Sequence, residues 1–290
     1  MKQHKTHVSR LYQFVHLFIF IRFTFCINHT SMDERNTYYN FEGKIVGGHS
    51  VPIEKFPFAV QVFNYGALCG GTVLSSWAVL TAAHCFNNNK NVKDIHVRFG
   101  AKYIYDMSAA SYKIWYIVEH EDYGKEAPFA CDIALIFTRR PIKFNKRTQR
   151  AMIVQSSKWM NERERNFKAT GWGFTSYGGS MSNSGLMETH LRFVSLKNCR
   201  RKHRGTRLTE DMFCLDGDGK RDTCQGDSGG AILWNRQVVG LVSHGEGCAQ
   251  KDKPGIYTNV YYFLPWMKMK IKEAHRKYCI KLVGNKNIGK

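Results

Sequence analysis

The stretch Arg221–Ala231, RDTCQGDSGGA, surrounds one serine with acidic residues and glycines. Ser228 follows Asp227 directly, comes six residues after Asp222 and precedes two glycines. Glycine is the usual residue where the backbone has a positive φ or must come close to another group. These glycines, with Gly226, therefore predict a tight exposed loop whose N–H groups face a standing or transient anion. DSGG alone is also typical of a glycine-rich surface turn, so other residues must decide between the two interpretations.

Activation of a serine hydroxyl requires a base that accepts its proton and a third group that orients this base. Among twelve histidines, His84 stands out in LTAAHCF, where small residues surround it and Cys85 can anchor the loop through a disulfide. Asp132 begins the apolar run DIALIF, so its carboxylate is expected to be partly buried. Taken alone, His84 has an ordinary explanation as a structural histidine, and Asp132 has one as a cap at the start of a strand. Together with Ser228, the two residues predict nucleophilic catalysis.

The chain that must position these groups consists mainly of short β-rich runs separated by turns. These runs read FAVQVF, GGTVLSSWAVLTAA, IHVRFG, YKIWYIVEH, DIALIF, QVVGLVSHG and GIYTNVYYF. Several short strands with turn signals predict an all-β sandwich or barrel. One helix is expected near the end, at about residues 263–279, because apolar residues recur there at spacings of three and four. These residues are Leu264, Met267, Ile271, Ala274 and Tyr278.

Length, cysteine content and the N-terminal residues indicate a secreted protein. A chain of 290 residues with 43% hydrophobic content can bury a substantial core, as one large domain or two moderate ones. Nine cysteines indicate an oxidising compartment. Residues 1–26 resemble a secretory signal, because basic residues precede an apolar stretch that Arg22 interrupts. We expect a cleaved signal peptide over residues 1–26 and an extracellular location, with a signal anchor as the alternative.

Five motifs occur in the order and approximate spacing found in the chymotrypsin–trypsin family of serine proteases. They are IVGG at Ile45–Gly48, TAAHC at Thr81–Cys85, DIAL at Asp132–Leu135, GWG at Gly171–Gly173 and GDSGG at Gly226–Gly230. The resemblance covers about residues 45–274. It implies an all-β fold of two packed antiparallel six-stranded β-barrels with a C-terminal α-helix, a protease domain over residues 45–290 and no cofactor.

The resemblance also implies a role for each reactive residue. His84 is the general base and then the general acid, Asp132 orients its ring and stabilises the imidazolium, and Ser228 is the nucleophile. The N–H groups of Gly226 and Ser228 form the oxyanion hole. Because all three catalytic residues are present, a serine endopeptidase is the leading interpretation. A catalytically silent homologue that acts as a regulatory or binding protein is the alternative.

Substrate preference follows from a second set of matched positions. By resemblance, Asp222 lies at the floor of the primary specificity pocket, where a carboxylate selects a substrate Arg or Lys. Gly245 and Gly255 leave this pocket open, and Ser243 belongs to the same substrate-binding region. His244 stands where the family usually has Trp, which predicts a less apolar surface for the second and fourth residues before the cut.

The resemblance implies a zymogen. Cleavage between Lys44 and Ile45 would remove an activation propeptide, residues 27–44, and expose a new ammonium group on Ile45. Asp227 resembles the residue that receives this ammonium. Because an unpaired buried carboxylate is costly, such an ion pair can act as the activation switch.

The cysteines fit this interpretation. The resemblance implies the disulfides Cys69–Cys85, Cys199–Cys214 and Cys224–Cys248. A further family disulfide is absent, and Phe167 and Trp234 at its two positions are expected to pack together. If Cys26 leaves with the signal peptide, Cys131 can pair with Cys279, whereas one thiol stays unmatched if Cys26 is retained.

A net charge of +20 implies an anionic partner or surface. The sequence contains no recognisable nucleic-acid-binding motif, and we expect a monomer. Ten cations form two basic segments, one in the second barrel and one on the terminal helix. They are Lys197, Arg200, Arg201, Lys202, Arg204 and Arg207, and then Lys268, Lys270, Lys272 and Lys277. They predict either a solvated surface or an exosite for sulfated polysaccharide.

Ala101 and Lys102 stand where calcium-binding members of the family begin an acidic loop, so no metal is expected.

Overall fold

The computed structural model describes residues 45–161, 167–178 and 185–286, with side chains as far as residue 279. The expected signal peptide, residues 1–26, and propeptide, residues 27–44, lie outside the described residues. Among the helices that are described, none contains a stretch long and apolar enough to cross a membrane.

Fourteen strands make up most of the regular structure of the described residues. The strands of the first half are β1 (His49–Ser50), β2 (Ala59–Asn64), β3 (Ala67–Val73), β4 (Ala78–Thr81), β5 (Ile95–Phe99), β6 (Ala110–Glu119) and β7 (Ala134–Thr138). The strands of the second half are β8 (Met152–Ile153), β9 (Phe167–Gly171), β10 (Met187–Val194), β11 (Met212–Asp216), β12 (Ala231–Trp234), β13 (Gln237–His244) and β14 (Gly255–Asn259).

The first barrel closes in the order β2-β3-β4-β7-β6-β5, with β5 returning to pair with β2. All of its neighbouring strands are antiparallel. Residues of β2, β4 and β7 are buried along their whole lengths, because these strands have the barrel interior on one face and further structure on the other.

The second barrel contains β9, β10, β11, β14, β13 and β12, and the antiparallel pairing of β12 with β9 closes it. Two short strands lie outside this ring. Strand β1 pairs with β10, and β8 runs parallel to β13. The core of the second barrel is aromatic, with Trp159 in edge contact with Phe213 at 4.7 Å between ring centroids. Two closed six-stranded barrels confirm the predicted all-β fold, and they exclude the sandwich.

Two α-helices accompany the barrels. Helix α1, Leu196–Lys202, begins at Ser195, whose hydroxyl accepts a hydrogen bond from the N–H of Asn198. The terminal helix α2, Leu264–Lys286, begins one residue later and ends seven residues later than predicted. Its apolar residues Trp266, Met267 and Ala274 are buried against the first barrel's core.

Three disulfides are formed, and they are the pairs that the resemblance implies: Cys69–Cys85, Cys199–Cys214 and Cys224–Cys248. Phe167 and Trp234 lie directly opposite each other in the β9–β12 pairing. Phe167 is fully buried there, and Trp234 packs against the same core. Two bulky apolar side chains thus occupy the positions of the missing disulfide.

The expected bond between Cys131 and Cys279 is not formed, and both thiols are free. The N–H of Cys131 donates to the Asp211 carboxylate at 2.7 Å, and the carbonyl of Asp211 accepts the N–H of Asn259 at 2.7 Å. Cys131 therefore lies near the chain just before α2 begins. Cys279 is fifteen residues into that helix, about 22 Å along its axis at 1.5 Å per residue, and a disulfide requires Cα atoms within about 7 Å.

Candidate active site

The loop that carries Ser228 is hydrogen-bonded to both barrels. The N–H of Gly70 in β3 donates to the carbonyl of Ser228 at 2.7 Å, and the N–H of Gly229 donates to the carbonyl of Val242 in β13 at 2.8 Å. Gly229 has a φ of 77°, and a Cβ there would lie 2.2 Å from Oγ1 of Thr81. Only glycine fits this position, both by conformation and by space.

His84 and Asp132 reach the same site from neighbouring strands of the first barrel. His84 lies on the turn Ala83–Phe86 that follows β4, and Asp132 lies just before β7, which pairs with β4. Nδ1 of His84 is 2.7 Å from Oδ2 of Asp132, and the backbone N–H of His84 donates to Oδ1 at 2.9 Å. Both the position and the ring orientation of His84 therefore depend on this one carboxylate.

Asp132 is fully buried, and a second side chain that the sequence did not connect with it satisfies its carboxylate. The hydroxyl of Ser243 donates to Oδ2 at 2.6 Å. Burial alone would raise the pKa of Asp132, but the charge of His84 and the hydrogen bonds from His84 and Ser243 hold it below its ordinary value. Ser243 was expected only in the substrate-binding region. It lines the cleft and also supports the Asp132 carboxylate.

A cleft of about 230 Å³ has both His84 and Ser228 in its lining, and Asp222 lies in the same lining. Asp222 is 6% exposed. Its carboxylate accepts the N–H of Thr223 at 2.8 Å, the N–H of Ala249 at 2.9 Å and the Tyr257 hydroxyl at 3.3 Å. Burial raises the pKa of Asp222 to about 6, although these hydrogen bonds oppose the shift.

Two expected glycines keep the cleft open above this carboxylate. A Cβ on Gly255 would lie 2.6 Å from the Tyr257 hydroxyl and 3.0 Å from Oδ1 of Asp222. A Cβ on Gly245 would lie 3.8 Å from Cα of Gly255, because the two glycines are neighbours at the paired ends of β13 and β14. A side chain at position 255 would therefore collide with Tyr257 and Asp222, and one at position 245 would pack against Gly255. Tyr257 was not identified from the sequence, because its pattern is that of an ordinary buried strand residue.

His244 forms part of the cleft wall together with Phe129, a residue that no sequence motif marked. The two rings stack at 4.4 Å between centroids and 13° between planes. Burial lowers the pKa of His244 to about 4, so this imidazole is neutral at physiological pH. Phe129 also contacts the His84 ring edge-on at 5.7 Å. The position where Trp is usual thus carries a neutral ring packed on a phenylalanine.

Asp227, which directly precedes Ser228, is fully buried. Its two oxygens accept the N–H groups of Gly173 at 2.8 Å and Cys224 at 2.9 Å. Burial raises its pKa to about 7, and the negative charge of Asp222 adds to the increase. Ile45 is also fully buried. A Cβ on Gly171 would lie 2.0 Å from Oδ1, so the chain leaves room for this carboxylate by using glycine.

The geometry of Gly226 supports its expected place beside the nucleophile. Its φ is 93°, a value that favours glycine and turns the chain sharply two residues before Ser228. Among the described residues, one trio has spacing compatible with a metal ion: Cys69, His84 and Cys85. Its two cysteines are joined in a disulfide and cannot act as thiolate ligands.

Replacing Ser243 by Ala should slow the reaction of Ser228 with a phosphonylating reagent about tenfold or more. The change removes a hydrogen bond to a charged, buried group, worth about 1.5–3 kcal/mol, and so leaves His84 less firmly oriented. The measurement is the second-order rate of mass increase on Ser228, with Ser111→Ala, an exposed strand serine, as the control. Equal rates in both variants would mean that the Ser243 hydroxyl does not support the site.

Comparison with known proteins agrees with this geometry. The chain matches the Trypsin family over residues 45–267. It is 31% identical over 237 residues to Trypsin epsilon of Drosophila erecta, which covers 80% of this chain and 90% of that protein. It is 32% identical over 235 residues to Cationic trypsin-3 of Rattus norvegicus, with coverages of 79% and 90%. Clotting factor G beta subunit of Tachypleus tridentatus is 31% identical over 247 residues, with coverages of 78% and 79%. The chain therefore belongs to the trypsin family of serine proteases.

Proposed function

We propose that this protein is an endopeptidase that cleaves proteins after Arg or Lys through an acyl-enzyme intermediate. The observation that carries the proposal is a buried carboxylate, Asp222, in the lining of the same open cleft as Ser228 and His84. A carboxylate whose pKa is raised by burial is stabilised when a cation enters beside it. A substrate guanidinium or ammonium provides that cation.

In the first half of the reaction, the Ser228 oxygen attacks the substrate carbonyl while Nε2 of His84 accepts the hydroxyl proton. The resulting imidazolium is stabilised by the Asp132 carboxylate, which is 2.7 Å from Nδ1. The negative charge that forms on the carbonyl oxygen is met by the N–H groups of Gly226 and Ser228. His84 then gives the proton to the leaving amine as the C–N bond breaks, which leaves an ester on Ser228.

In the second half, water replaces the amine. His84 accepts a proton from the water, the hydroxide oxygen bonds to the ester carbon, and the proton is returned to the Ser228 oxygen as the C–O bond breaks. The products are a carboxylic acid and the free serine, so the triad is regenerated. Asp132 remains ionised throughout, which agrees with its lowered pKa and its three hydrogen-bond donors.

Replacing Asp222 by Ser should weaken cleavage after Arg and Lys by about 2–5 kcal/mol in kcat/KM, because the substrate cation would be buried without a counter-charge. Asp222 carries its charge above a pKa of about 6, so binding of cations should weaken as pH falls below that value. In the wild type, the dissociation constant of benzamidine should be constant above about pH 7 and rise about tenfold at pH 5. Asp222→Ser should bind benzamidine weakly at every pH.

Benzamidine is the appropriate probe because its binding requires no proton transfer by His84. Efficient cleavage after Phe or Leu with none after Arg would contradict the proposed specificity. The alternative of a catalytically silent homologue is tested separately, by treating the protein with a phosphonylating reagent. A mass increase on Ser228 of the wild type, absent in Ser228→Ala, supports an enzyme, and no increase after cleavage at Lys44–Ile45 supports the silent homologue.

We also propose that the chain is a secreted zymogen, activated by cleavage between Lys44 and Ile45. Three disulfides agree with an extracellular location. Two fully buried residues, Ile45 and Asp227, support the switch. Cleavage would convert the Ile45 amide into an ammonium group, which can neutralise the Asp227 carboxylate and lower its raised pKa. Because Lys44 also fits an Asp222 cleft, the enzyme is expected to be capable of activating itself.

Replacing Lys44 by Gln should give an intact and inactive chain that trypsin-like proteases no longer activate. The intact chain should lose stability as pH rises from about 4 to 7, because an Asp227 with a raised pKa must then ionise in a buried place. In the cleaved chain the ammonium pairs with Asp227 and removes this loss. Thermal unfolding of Ser228→Ala, before and after cleavage, measures both. Full activity of Lys44→Gln would show that the switch lies elsewhere.

The basic segments are less uniform than the sequence indicated. Several cations of the two segments have acidic partners. These ion pairs are Arg200–Glu210, Lys202–Asp252, Arg207–Glu126 and Lys270–Glu121. Glu121 and Glu126 belong to a single short stretch of chain that contacts both basic segments. Acidic side chains therefore interrupt the positive charge between the two basic segments.

We propose that a narrower row on α2 binds sulfated polysaccharide. Lys268, Lys272 and Arg276 follow one another at intervals of four residues and are all exposed. They line one shallow groove, and no ion pair within the described part of the chain involves them. Like charges at this spacing repel each other, and a bound polyanion would relieve the repulsion.

Changing Lys268, Lys272 and Arg276 together to Ala should lower the salt concentration at which the protein elutes from a heparin column. The matched control changes three exposed lysines of the first half, Lys93, Lys113 and Lys146, and removes the same charge. Such binding is electrostatic and weakens as the Debye length falls from about 10 Å at 0.1 M to about 3 Å at 1 M salt. Equal elution of the two variants would show that net charge, and not this row, holds the protein.

A further inference from the structure

Two adjacent residues of β13, Ser243 and His244, have side chains in hydrogen-bond contact, although neighbours along a regular strand point to opposite faces. Oγ of Ser243 is 3.1 Å from Nδ1 of His244. The strand is irregular at this point, because Val242 and His244, two residues apart, lie opposite consecutive residues of β14. Ser243 is therefore the extra residue of a β-bulge, which bends the strand and redirects its side chains. The bulge brings the two side chains together.

The single proton of the Ser243 hydroxyl is already used. It is donated to Oδ2 of Asp132 at 2.6 Å, and this carboxylate, whose pKa is lowered, is ionised and can only accept. Towards His244 the Ser243 oxygen can therefore only accept, so Nδ1 of His244 carries a proton and donates it. Because burial lowers the pKa of His244 to about 4, the imidazole is neutral and its other nitrogen, Nε2, has no proton.

The opposite tautomer of His244 would lose one of these hydrogen bonds. With the proton on Nε2, Nδ1 could only accept. Either the Ser243 hydroxyl would then turn from Asp132 to His244, or two lone pairs would face each other. Nε2 gives no compensation, because it is buried and has no hydrogen-bond partner within the described part of the chain. The tautomer with a proton on Nδ1 is therefore the one in which both hydrogen bonds of Ser243 form.

A ring contact fixes the plane of the His244 imidazole. Phe129 stacks on it with 4.4 Å between ring centroids and 13° between planes. Phe129 has a φ of 60°, which is unusual for a bulky residue, so the surrounding packing holds its backbone in a strained conformation. The stacked ring prevents His244 from turning its Nδ1–H away from Ser243.

We propose that His244 is a positioning residue, which directs the Ser243 hydroxyl to Asp132 by donating a hydrogen bond to its oxygen. The carboxylate then stays in the place from which it orients His84. Because hydrogen bonds in a chain polarise one another, donation from His244 also strengthens donation from Ser243. This inference rests on the proposed function. Tryptophan, which is usual at this position, could not act in this way, because the nitrogen of its ring is Nε1 and not a δ atom.

The test removes the donor and keeps a ring that can stack. After cleavage at Lys44–Ile45, His244→Phe should react with a phosphonylating reagent at Ser228 roughly 2- to 10-fold more slowly than the wild type, the effect of one neutral hydrogen bond. A reagent with short alkyl groups is used, because it does not extend along the cleft wall. His244→Asn keeps a donor at the position of Nδ1 and should react faster than His244→Phe. The control, His275→Phe at an exposed position of α2, should react as the wild type does.

The double variant decides whether His244 acts through Ser243. Without the Ser243 hydroxyl there is no oxygen for His244 to donate to. Adding His244→Phe to Ser243→Ala should therefore slow the reaction by less than about twofold, whereas independent sites would show the full effect again. Equal fold changes in both backgrounds would overturn the proposal, and so would a wild-type rate for His244→Phe.

The end point of the reaction separates positioning from folding. A smaller fraction of folded molecules lowers the final mass conversion at Ser228 but leaves the rate constant unchanged, and that result would also contradict the proposal. If His244→Phe does not fold, His244→Asn is compared with His244→Ala, and equal rates of these two would overturn it. A wild type whose Ser228 does not react at all would instead contradict the proposed function itself.

Discussion

Burial of carboxylates is the physical constraint on which this site depends. Asp132, Asp222 and Asp227 are all removed from water, and a buried carboxylate is stable only when hydrogen bonds or a cation compensate for lost hydration. Asp132 has both, and its pKa is lowered. Asp222 and Asp227 have hydrogen bonds from neutral groups, and their pKa values are raised. At Asp132 the fold itself compensates for the lost hydration. At Asp222 and Asp227 this compensation is left to an incoming cation.

This difference gives each carboxylate a separate proposed use. The compensated one maintains a permanent orientation of His84, which a catalytic base needs in every cycle. The two others favour the arrival of positive charge, from a substrate side chain at Asp222 and from a new chain terminus at Asp227. The local chain makes space for these charges with glycine, at Gly255 above Asp222 and at Gly171 beside Asp227.

Glycine also allows the two barrels to meet at the nucleophile. Cα of Gly230 lies 2.8 Å from where a Cβ on Gly70 would be, so the backbones of β3 and the Ser228 loop are in direct contact. This contact brings residues of the first barrel, His84 and Asp132, to a serine carried by the second. Ser243 then crosses in the other direction, from β13 to Asp132. The arrangement of His84, Asp132 and Ser228 therefore depends on the junction of the two barrels and not on either barrel alone.

The sequence by itself indicated an all-β fold, and its resemblance to a known family implied the two barrels, the three disulfides and the candidate site residues, because that resemblance rests on short motifs with little freedom of placement. A glycine that the backbone needs for a positive φ can be recognised locally. Only the tertiary structure decided which long-range pairs form. It placed Ser243 on Asp132, stacked Phe129 on His244 and separated Cys131 from Cys279. It also supplied acidic partners for the two basic segments, because the charges of distant parts of the chain are brought together only when the barrels close.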